Sequence, residues 1–266
     1  MALPKVVFVT GAGRGIGAAL ARSLCRRGAA VVLGARSQEA VTELADELRD
    51  AGGQALPVYV DVSDPDTITD AVALALEWAA PFGVIDGLIN NAGIAITAPF
   101  LRHGRESGED LYHKHLATNF HGARRMIEAL APQMVERRQG RIVNIASSAG
   151  LQGYAYAAAY VASKHALVGY SRCAALDLKG SGVTLNVVCP HYVDSPMTDQ
   201  TVARIMQKTG RSEADTRAFL AAQNPGGALV TTEEVSGCVE EFLIGERNGA
   251  IVELLGGGQR REASQA

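Results

Sequence analysis

Two side chains in the middle of the chain could exchange a proton with a small molecule. Tyr160 and Lys164 are four residues apart in a segment of helical periodicity, so we expect both side chains on one face of a helix. An ammonium group near a phenol favours the phenolate and should lower the tyrosine pKa from its ordinary value of about 10. A tyrosine tuned in this way could act as a general acid or base toward a ketone or an alcohol near neutral pH.

A glycine-rich turn near the amino end could bind a phosphate group. Residues 10–17 read TGAGRGIG, follow an apolar run and open a predicted helix. Glycines let backbone N–H groups approach a pyrophosphate, which the amino terminus of the helix also attracts. Because Ile16 breaks the strict G-x-G-x-x-G spacing, the turn indicates dinucleotide binding only together with its strand and helix. A purely structural turn is the alternative.

The elements that must position these residues alternate between short β-branched runs and helical periods. This pattern is typical of βαβ units around a parallel sheet, which makes the fold class α/β. We expect strands at residues 5–10, 30–33, 56–60, 87–89, 141–145, 183–188 and 250–254, and long helices at residues 66–80, 109–135 and 157–178. A chain of 266 residues can be served by one hydrophobic core, so we expect one domain over residues 1–266.

Two further segments stand apart from the βα alternation. Residues 190–229 form a long polar stretch with weak helical content between the sixth strand and the last helix. Long insertions of this kind are often lids, so we expect a substrate lid there. Residues 259–266 are polar, and we expect them to be frayed.

Three motifs together carry a family resemblance. TGAGRGIG at 10–17, NNAG at 90–93 and YVASK at 160–164 resemble the short-chain dehydrogenase/reductase superfamily in order and spacing, and the similarity extends to about residue 258. The resemblance implies a doubly wound, Rossmann-like, seven-stranded parallel sheet with helices on both faces. It also implies hydride transfer between a nicotinamide and a carbonyl or secondary alcohol, with Tyr160 as the proton donor and Lys164 also bound to the nicotinamide ribose.

The resemblance implies roles for further residues. Ser147, thirteen residues before Tyr160, would hold the substrate oxygen, and Ser148 is the neighbouring alternative. Asn119 would order a water chain that reaches Lys164, although a merely solvated asparagine is the alternative. The implied cofactor contacts are Gly11, Arg14, Gly15, Ile16, Gly17, Arg36, Asp61, Val62, Asn91, Ala92, Gly93, Tyr160, Lys164, Pro190, Val193 and Ser195.

The residues after the second strand bear on the choice of nicotinamide. An acidic residue there would bind the ribose 2′-hydroxyl and select NAD, but Ala35 occupies the position and Arg36 follows. Arg14 lies inside the glycine turn. Guanidinium groups pair well with phosphate, so we expect NADP(H) to be preferred, with NAD possible. Two solvated surface arginines are the alternative.

The substrate is less well specified. The resemblance places eight residues near the substrate pocket: Ser147, Tyr160, Ile94, Gln152, Tyr154, His191, Tyr192 and Met197. Glycine is usual after the proline at 190, where this chain has His191. We hypothesise that the imidazole points into the cavity and shapes substrate choice without joining the proton transfer. Alternatively it turns away and hydrogen-bonds elsewhere, or the loop simply accommodates it. The lid loosely resembles those of 3-oxoacyl-thioester and polyketide ketoreductases and of 3-hydroxybutyrate dehydrogenases.

Composition excludes several partners and sites. A net charge of −3 gives no reason to expect nucleic acid or an anionic membrane as a partner. We expect no secretory signal and no membrane span, and therefore a cytoplasmic protein. The scattered Cys25, Cys173, Cys189 and Cys238 should be buried free thiols. His103, His113, His115, His121 and His165 show no ligand spacing, so we expect surface or packing roles for them and no metal.

Three function classes compete on the sequence. The leading one is an NADP(H)-dependent ketoreductase or secondary alcohol dehydrogenase, possible substrates being 3-oxoacyl thioesters or related ketones. An NAD-dependent dehydrogenase oxidising a secondary alcohol is the second, and a non-catalytic dinucleotide-binding redox sensor is the third. A complete set of Asn119, Ser147, Tyr160 and Lys164 argues against the sensor, which has no need of a proton path. The resemblance implies a homotetramer or homodimer formed through the two long helices.

Overall fold

One twisted sheet organises the protein. The computed structural model describes residues 3–99 and 110–263. Its eight strands run in the order β3-β2-β1-β4-β5-β6-β7-β8, so the order reverses between β1 and β4. The strands are β1 (Val6–Thr10), β2 (Ala30–Ala35), β3 (Ala55–Tyr59), β4 (Ile85–Asn90), β5 (Gly140–Ile145), β6 (Val183–Pro190), β7 (Ile251–Gly256) and β8 (Gln259–Glu262). In open α/β sheets, ligands bind at such a reversal, outside the carboxyl ends of the strands.

Helices cover both faces of the sheet. They are α1 (Gly15–Arg26), α2 (Gln38–Asp50), α3 (Pro65–Ala79), α4 (Leu111–Leu116), α5 (Gly122–Glu136), α6 (Ala158–Asp177), α7 (Pro196–Thr209), α8 (Glu213–Gln223) and α9 (Thr232–Ile244). Buried side chains of α1, α2 and α9 pack on one face, and those of α3, α5 and α6 on the other. In β1, Val7 and Val9 face the first group while Val6 and Phe8 face the second. The doubly wound α/β fold is confirmed.

The carboxyl-terminal end corrects two expectations. Over residues 3–99 and 110–263 the sheet has eight strands where seven were expected, and the last one is antiparallel to its neighbour. Residues 259–262, expected to be frayed, pair with β7 through a turn in which Gly256, Gly257 and Gly258 all have positive φ. Glycine adopts that backbone region without the steric cost of a Cβ atom. All four residues of β8 are exposed, so the strand carries no alternation of apolar and polar positions.

The long helix expected at 109–135 is interrupted. Residue 109 lies outside the described part of the chain, and Asp110 caps α4 by accepting hydrogen bonds from the N–H groups of Tyr112 and His113. A π-helical segment, Ala117–His121, then joins α4 to α5 and carries Asn119. π-helical turns are frequent at functional sites.

The remaining segments also differ from expectation in part. The expected lid segment contains two helices, α7 and α8, and therefore more helix than its weak periodicity predicted. Three cysteines are buried, but Cys173 is exposed, so the expectation of four buried thiols is wrong at that position. Within the described residues, no helix is both long and apolar enough to cross a membrane.

Candidate active site

The glycine turn after β1 is braced by the end of β4. Nδ2 of Asn91 donates to the carbonyl oxygens of Thr10 and Gly11 at 3.0 and 3.1 Å. Oγ1 of Thr10 accepts from the N–H groups of Asn91 and Ala92 at 3.0 and 3.1 Å. A Cβ atom on Gly17 would lie 2.2 Å from the carbonyl oxygen of Gly11, so the turn closes only with glycine there. Asn91 and Ala92, expected as cofactor contacts, hold the shape of the turn.

The amino terminus of α1 has the properties of an anion site. Arg14 is its N-cap but makes no side-chain cap hydrogen bond, and the first turn contains no acidic residue. The N–H groups at a helix amino terminus carry partial positive charge. A Cβ atom on Gly15 would lie 3.3 Å from Cδ of Pro196 and 3.8 Å from Cβ of Ser195, so the start of α7 lies against the turn. The residues present therefore fit a pyrophosphate group.

The ends of β2 and β3 lie to one side of this turn. Arg14 and Arg36 are exposed, and neither forms an ion pair within residues 3–99 and 110–263. Val62 is buried and packs against Gly122. Oδ1 of Asp61 accepts from the N–H and the hydroxyl of Ser63 at 2.9 and 2.6 Å, so this oxygen is used in a local turn.

Tyr160 and Lys164 lie one turn apart on α6, as the spacing predicted. Nζ of Lys164 donates to the carbonyl oxygen of Ile145 at 2.9 Å and lies 5.9 Å from the centroid of the Tyr160 ring. Ser147 follows β5, and its hydroxyl lies close enough to Tyr160 to act on the pKa of that phenol in the lowering direction. The same hydroxyl accepts from the N–H of Ala149 at 3.1 Å. The carboxyl end of β5 and one face of α6 therefore bring the three side chains together.

Asn119 closes this group from the π-helical segment. Its Oδ1 accepts from the N–H of Ile94 at 2.8 Å, and its Nδ2 donates to the carbonyl oxygen of Ile94 at 3.0 Å and to Oγ of Ser163 at 2.9 Å. Asn119 is 1% exposed, which excludes the alternative of a merely solvated side chain. A Cβ atom on Gly93 would lie 3.2 Å from Oδ1 of Asn119 and 3.6 Å from Nζ of Lys164, so all three meet.

Burial dominates the protonation of the central pair. It raises the pKa of Tyr160 to about 12, while the hydrogen bond from Ser147 acts in the lowering direction. It also lowers the pKa of Lys164 to about 8. The expectation that Lys164 lowers the tyrosine pKa is therefore wrong for the protein by itself. Loss of hydration is the largest effect on both groups, because desolvation penalises the charged form of each group.

Of the residues expected around the substrate, some are joined by hydrogen bonds to Tyr154, whereas Met197 is not. Oη of Tyr154 accepts from Nε2 of Gln152 at 2.7 Å and lies 2.8 Å from Oγ of Ser148. After burial and the lowering effect of Ser147, smaller raising effects on the pKa of Tyr160 come from Cys189, Tyr154 and Tyr192. Met197 is exposed at the start of α7, where no described contact ties it to the phenols.

The backbone beyond β6 is held by Asn224, the residue that follows α8. Asn224 donates to and accepts from the main chain of Tyr192, at 2.9 and 3.0 Å. Val193 is buried and bridges to Val230, while Pro190 ends β6 with its carbonyl oxygen 3.5 Å from the Ser147 hydroxyl. The segment that was expected to contact the carboxamide is thus anchored beside Ser147.

His191 does not point into an open cavity, which corrects the leading hypothesis. Its side chain is 3% exposed, and its Nε2 lies 2.6 Å from Oε1 of Glu253. Its Nδ1 lies 3.4 Å from Oη of Tyr154. The imidazole follows the alternative in which it turns away and hydrogen-bonds elsewhere. It turns because Glu253, 2% exposed on β7, needs a buried donor.

Several buried polar residues of the site were missed from the sequence. Asn90 donates to Asn144 at 2.9 Å, and Asn144 donates to Ser171 at 2.9 Å, which ties β4, β5 and α6 together. Asparagine inside an apolar strand is the signal that could have revealed this network. His115 is buried with its ring edge-on to Tyr160 at 6.2 Å, a packing role, whereas His103 lies outside the described residues.

Comparison with known proteins agrees with this geometry. The family profile described as short chain dehydrogenase matches residues 5–205. A ketoacyl reductase assigned to the granaticin polyketide synthase of Streptomyces violaceoruber is 34% identical over 250 residues, covering 94% of this chain and 90% of the relative. The 3-oxoacyl-[acyl-carrier-protein] reductase FabG of Escherichia coli is 34% identical over 235 residues, 88% of each chain.

A solved structure supports the same assignment. The crystal structure of an actinorhodin polyketide ketoreductase variant with NADPH matches with a TM-score of 0.86 and 33% identity, over 97% of this chain and 98% of that one. The strand order and the glycine turn at its reversal agree with this match. The chain therefore belongs to the short-chain dehydrogenase/reductase superfamily and is an oxidoreductase of the type that binds a nicotinamide dinucleotide and acts on carbonyl and alcohol groups.

Proposed function

We propose that this protein is an NADP(H)-dependent ketoreductase that reduces a 3-oxoacyl thioester or a related ketone. One observation carries the proposal. Four side chains meet at the carboxyl edge of the sheet, beside the uncapped amino terminus of α1: Tyr160, Lys164, Ser147 and Asn119. The substrate class is supported by the relatives, which are described as ketoacyl and 3-oxoacyl reductases.

Tyr160 is the general acid in this proposal. A bound nicotinamide would supply hydride to the carbonyl carbon. Ser147 holds the carbonyl oxygen, and Tyr160 donates its phenolic proton to that oxygen as negative charge develops there. A pKa raised to about 12 keeps the phenol protonated at neutral pH, which is the state that an acid requires.

Lys164 and Asn119 help to return a proton to Tyr160 after it has donated its own. With a pKa lowered to about 8, Lys164 exchanges a proton with water more readily near neutral pH than an ordinary lysine does. Asn119 fixes the backbone at Ile94. In this proposal it would also order water toward Lys164. Lys164 would also bind the ribose next to the nicotinamide.

The cofactor would extend along the reversal of the sheet. Gly11, Gly15, Ile16 and Gly17 form the turn that receives the pyrophosphate, and Arg14 and Arg36 pair with a 2′-phosphate that Ala35 does not repel. Asp61 and Val62 would contact the adenine, and Pro190, Val193 and Ser195 would contact the carboxamide. Asn91, Ala92 and Gly93 would shape the site between them. Helices α7 and α8 act as the lid over the site. The relative crystallised with NADPH supports this cofactor.

A panel of carbonyl compounds with both nicotinamides tests the proposal. Purified protein is mixed with 3-oxoacyl thioesters of N-acetylcysteamine or simple ketones, and consumption of NADPH and of NADH is followed separately. We expect turnover of at least one 3-oxo compound, with a higher kcat/KM for NADPH. Absence of turnover with every carbonyl compound, together with no reduction of NADP⁺ by the matching alcohols, would overturn it.

A further inference from the structure

Four side chains form a hydrogen-bonded line from the surface of β8 to the substrate side of the site. Nε of Arg261 donates to Oε2 of Glu253 at 2.5 Å, and Oε1 of Glu253 lies 2.6 Å from Nε2 of His191. The line ends where Nδ1 of His191 meets Oη of Tyr154 at 3.4 Å. None of the proton or hydride steps proposed above uses these groups.

The direction of each hydrogen bond follows from the carboxylate. Glu253 can only accept, so Nε2 of His191 carries a proton, and in that tautomer Nδ1 is the acceptor. Tyr154 therefore donates its hydroxyl proton to His191. The same oxygen accepts from Nε2 of Gln152 and from the hydroxyl of Ser148, at 2.7 and 2.8 Å. All the hydrogen-bonding capacity of the Tyr154 hydroxyl is thus used within the protein, and only its ring is left to contact a substrate.

The His191–Glu253 pair is rigid because both partners are buried. Each side chain is 3% exposed, and a buried carboxylate is stable only when its oxygens are paired. Arg261 supplies the second partner from a side chain that is 61% exposed. The antiparallel register of β7 and β8 places Glu253 opposite Arg261, so the carboxyl-terminal hairpin completes the pairing.

Adjacent serines connect this line to the catalytic tyrosine. Ser147 acts on the pKa of Tyr160 in the lowering direction, and the hydroxyl of Ser148, the next residue, hydrogen-bonds Tyr154 at 2.8 Å. Tyr154 is half-buried while its hydroxyl is fully hydrogen-bonded, so the ring is the part of this side chain that can contact a substrate. An aromatic ring held by its hydroxyl provides contact area with little loss of side-chain entropy on binding.

We propose that His191 and Glu253 are positioning residues that hold the Tyr154 ring as a fixed wall beside the carbonyl site, and that Tyr154 thereby selects 3-oxo substrates carrying a flat apolar group next to the reacting carbonyl. This inference rests on the proposed ketoreductase function. The sequence suggested that His191 contacts the substrate directly; in this proposal His191 acts on the substrate through Tyr154.

Two thioesters that differ only beside the ketone test the selection. The N-acetylcysteamine thioesters of 3-oxo-3-phenylpropanoate and 3-oxobutanoate are reduced with NADPH, and the ratio of their kcat/KM values is compared among wild type, Tyr154→Ala and His191→Gln. We expect the wild type to favour the phenyl substrate. The ratio of the kcat/KM value for the phenyl substrate to that for the methyl substrate should fall about tenfold in each variant. The double variant should lose no more than either single one, because both act through one ring. Retention of the wild-type ratio by either single variant would overturn the proposal.

Arg260 supplies a matched control on the same strand. It is also exposed on β8 but pairs with Glu241, outside this line. Arg261→Gln should lower the phenyl-to-methyl ratio while Arg260→Gln leaves it unchanged; equal effects would contradict the role of the hairpin. Thermal unfolding of each variant identifies any loss of fold. Glu253 itself is not substituted, because its loss would leave a buried histidine unpaired; Arg261→Gln and His191→Gln test the line instead.

A magnetic-resonance readout separates this inference from the proposed function. If the wild type reduces neither thioester, the ketoreductase proposal fails for these substrates, but the positioning can still be judged on the protein itself. The ¹⁵N spectrum should show the His191 ring protonated at Nε2, and Tyr154→Phe should shift its Nδ1 resonance. A ring protonated at Nδ1 alone, or an Nδ1 resonance that Tyr154→Phe leaves unmoved, would overturn the positioning.

Discussion

Nζ of Lys164 lies 5.9 Å from the centroid of the Tyr160 ring and donates to the carbonyl oxygen of Ile145. Burial acts on the two groups in opposite directions, raising the pKa of Tyr160 to about 12 and lowering that of Lys164 to about 8. Each shift favours the uncharged form of its group. The site therefore keeps a protonated phenol next to an amine that titrates close to neutral pH.

The lowered pKa of Lys164 predicts a pH dependence of stability. The folded protein releases this proton near pH 8, whereas the unfolded chain keeps it until about 10.5. Between those values the unfolded state binds more protons, so the free energy of unfolding should rise with pH by at most about 1.4 kcal/mol per unit. Below pH 8 the penalty of burying the charge is present in full. Denaturant unfolding at several pH values measures this, and Lys164→Met should lack that part of the rise. Parallel curves for wild type and variant between pH 8 and 10.5 would contradict it.

Tyr160 adds an effect of the opposite sign at higher pH. Its folded pKa of about 12 exceeds the ordinary value of 10.0, so its contribution to stability is complete below pH 10 and is lost as the pH rises toward 12. The pH range of the Lys164 effect and that of the Tyr160 effect overlap only near pH 10. The Lys164→Met variant can therefore isolate the Lys164 effect.

Gly17 and Gly237 give a matched test of the phosphate turn. Both are helical glycines, but an added Cβ atom would lie 2.2 Å from the Gly11 carbonyl oxygen at Gly17 and would meet nothing within 4 Å at Gly237. Gly17→Ala should therefore cost about 1–3 kcal/mol of stability and weaken NADPH binding. Gly237→Ala should stabilise α9 by up to about 1 kcal/mol, since alanine favours helix more than glycine. Thermal unfolding and NADPH titration measure both, and stabilisation by Gly17→Ala would refute the steric argument.

Cofactor choice should depend on the end of β2. Arg36 is exposed with Ala35 before it, so Ala35→Asp combined with Arg36→Ala should reverse the preference from NADPH to NADH. Each lost charge-assisted contact with a phosphate costs about 1.5–3 kcal/mol. The ratio of kcat/KM for the two cofactors decides the matter in wild type and variant. A wild type that already prefers NADH would contradict the assignment.

The sequence predicted those parts of the fold that rest on local pattern. The apolar strand of β1, the helical period after Gly15 and the four-residue spacing of Tyr160 and Lys164 each have a short-range physical cause, and the structure has them in place. β8 was missed because its residues are exposed on both faces and show neither helical nor strand alternation. Its pairing depends on the free edge of β7, which no local window contains.

Site details that depend on distant partners were also missed. His191 was singled out as a departure from the family pattern, but its partner Glu253 lies 62 residues further along the chain. Without that partner the orientation of the imidazole could not be derived. The pKa of Tyr160 was expected to fall because the sequence shows the lysine four residues away but not the burial that raises the pKa.

The most direct test of the account replaces the proposed acid. Tyr160→Phe keeps the ring and removes the hydroxyl, and Tyr170→Phe makes the same change two turns or more along α6 as a control. For a 3-oxo substrate that the wild type reduces, kcat with NADPH should fall by about 10²–10⁴-fold in Tyr160→Phe and remain near wild type in Tyr170→Phe. NADPH binding, followed by fluorescence titration, should be nearly unchanged in both. A Tyr160→Phe enzyme that keeps a tenth or more of the wild-type kcat would contradict the central claim that this phenol donates the proton.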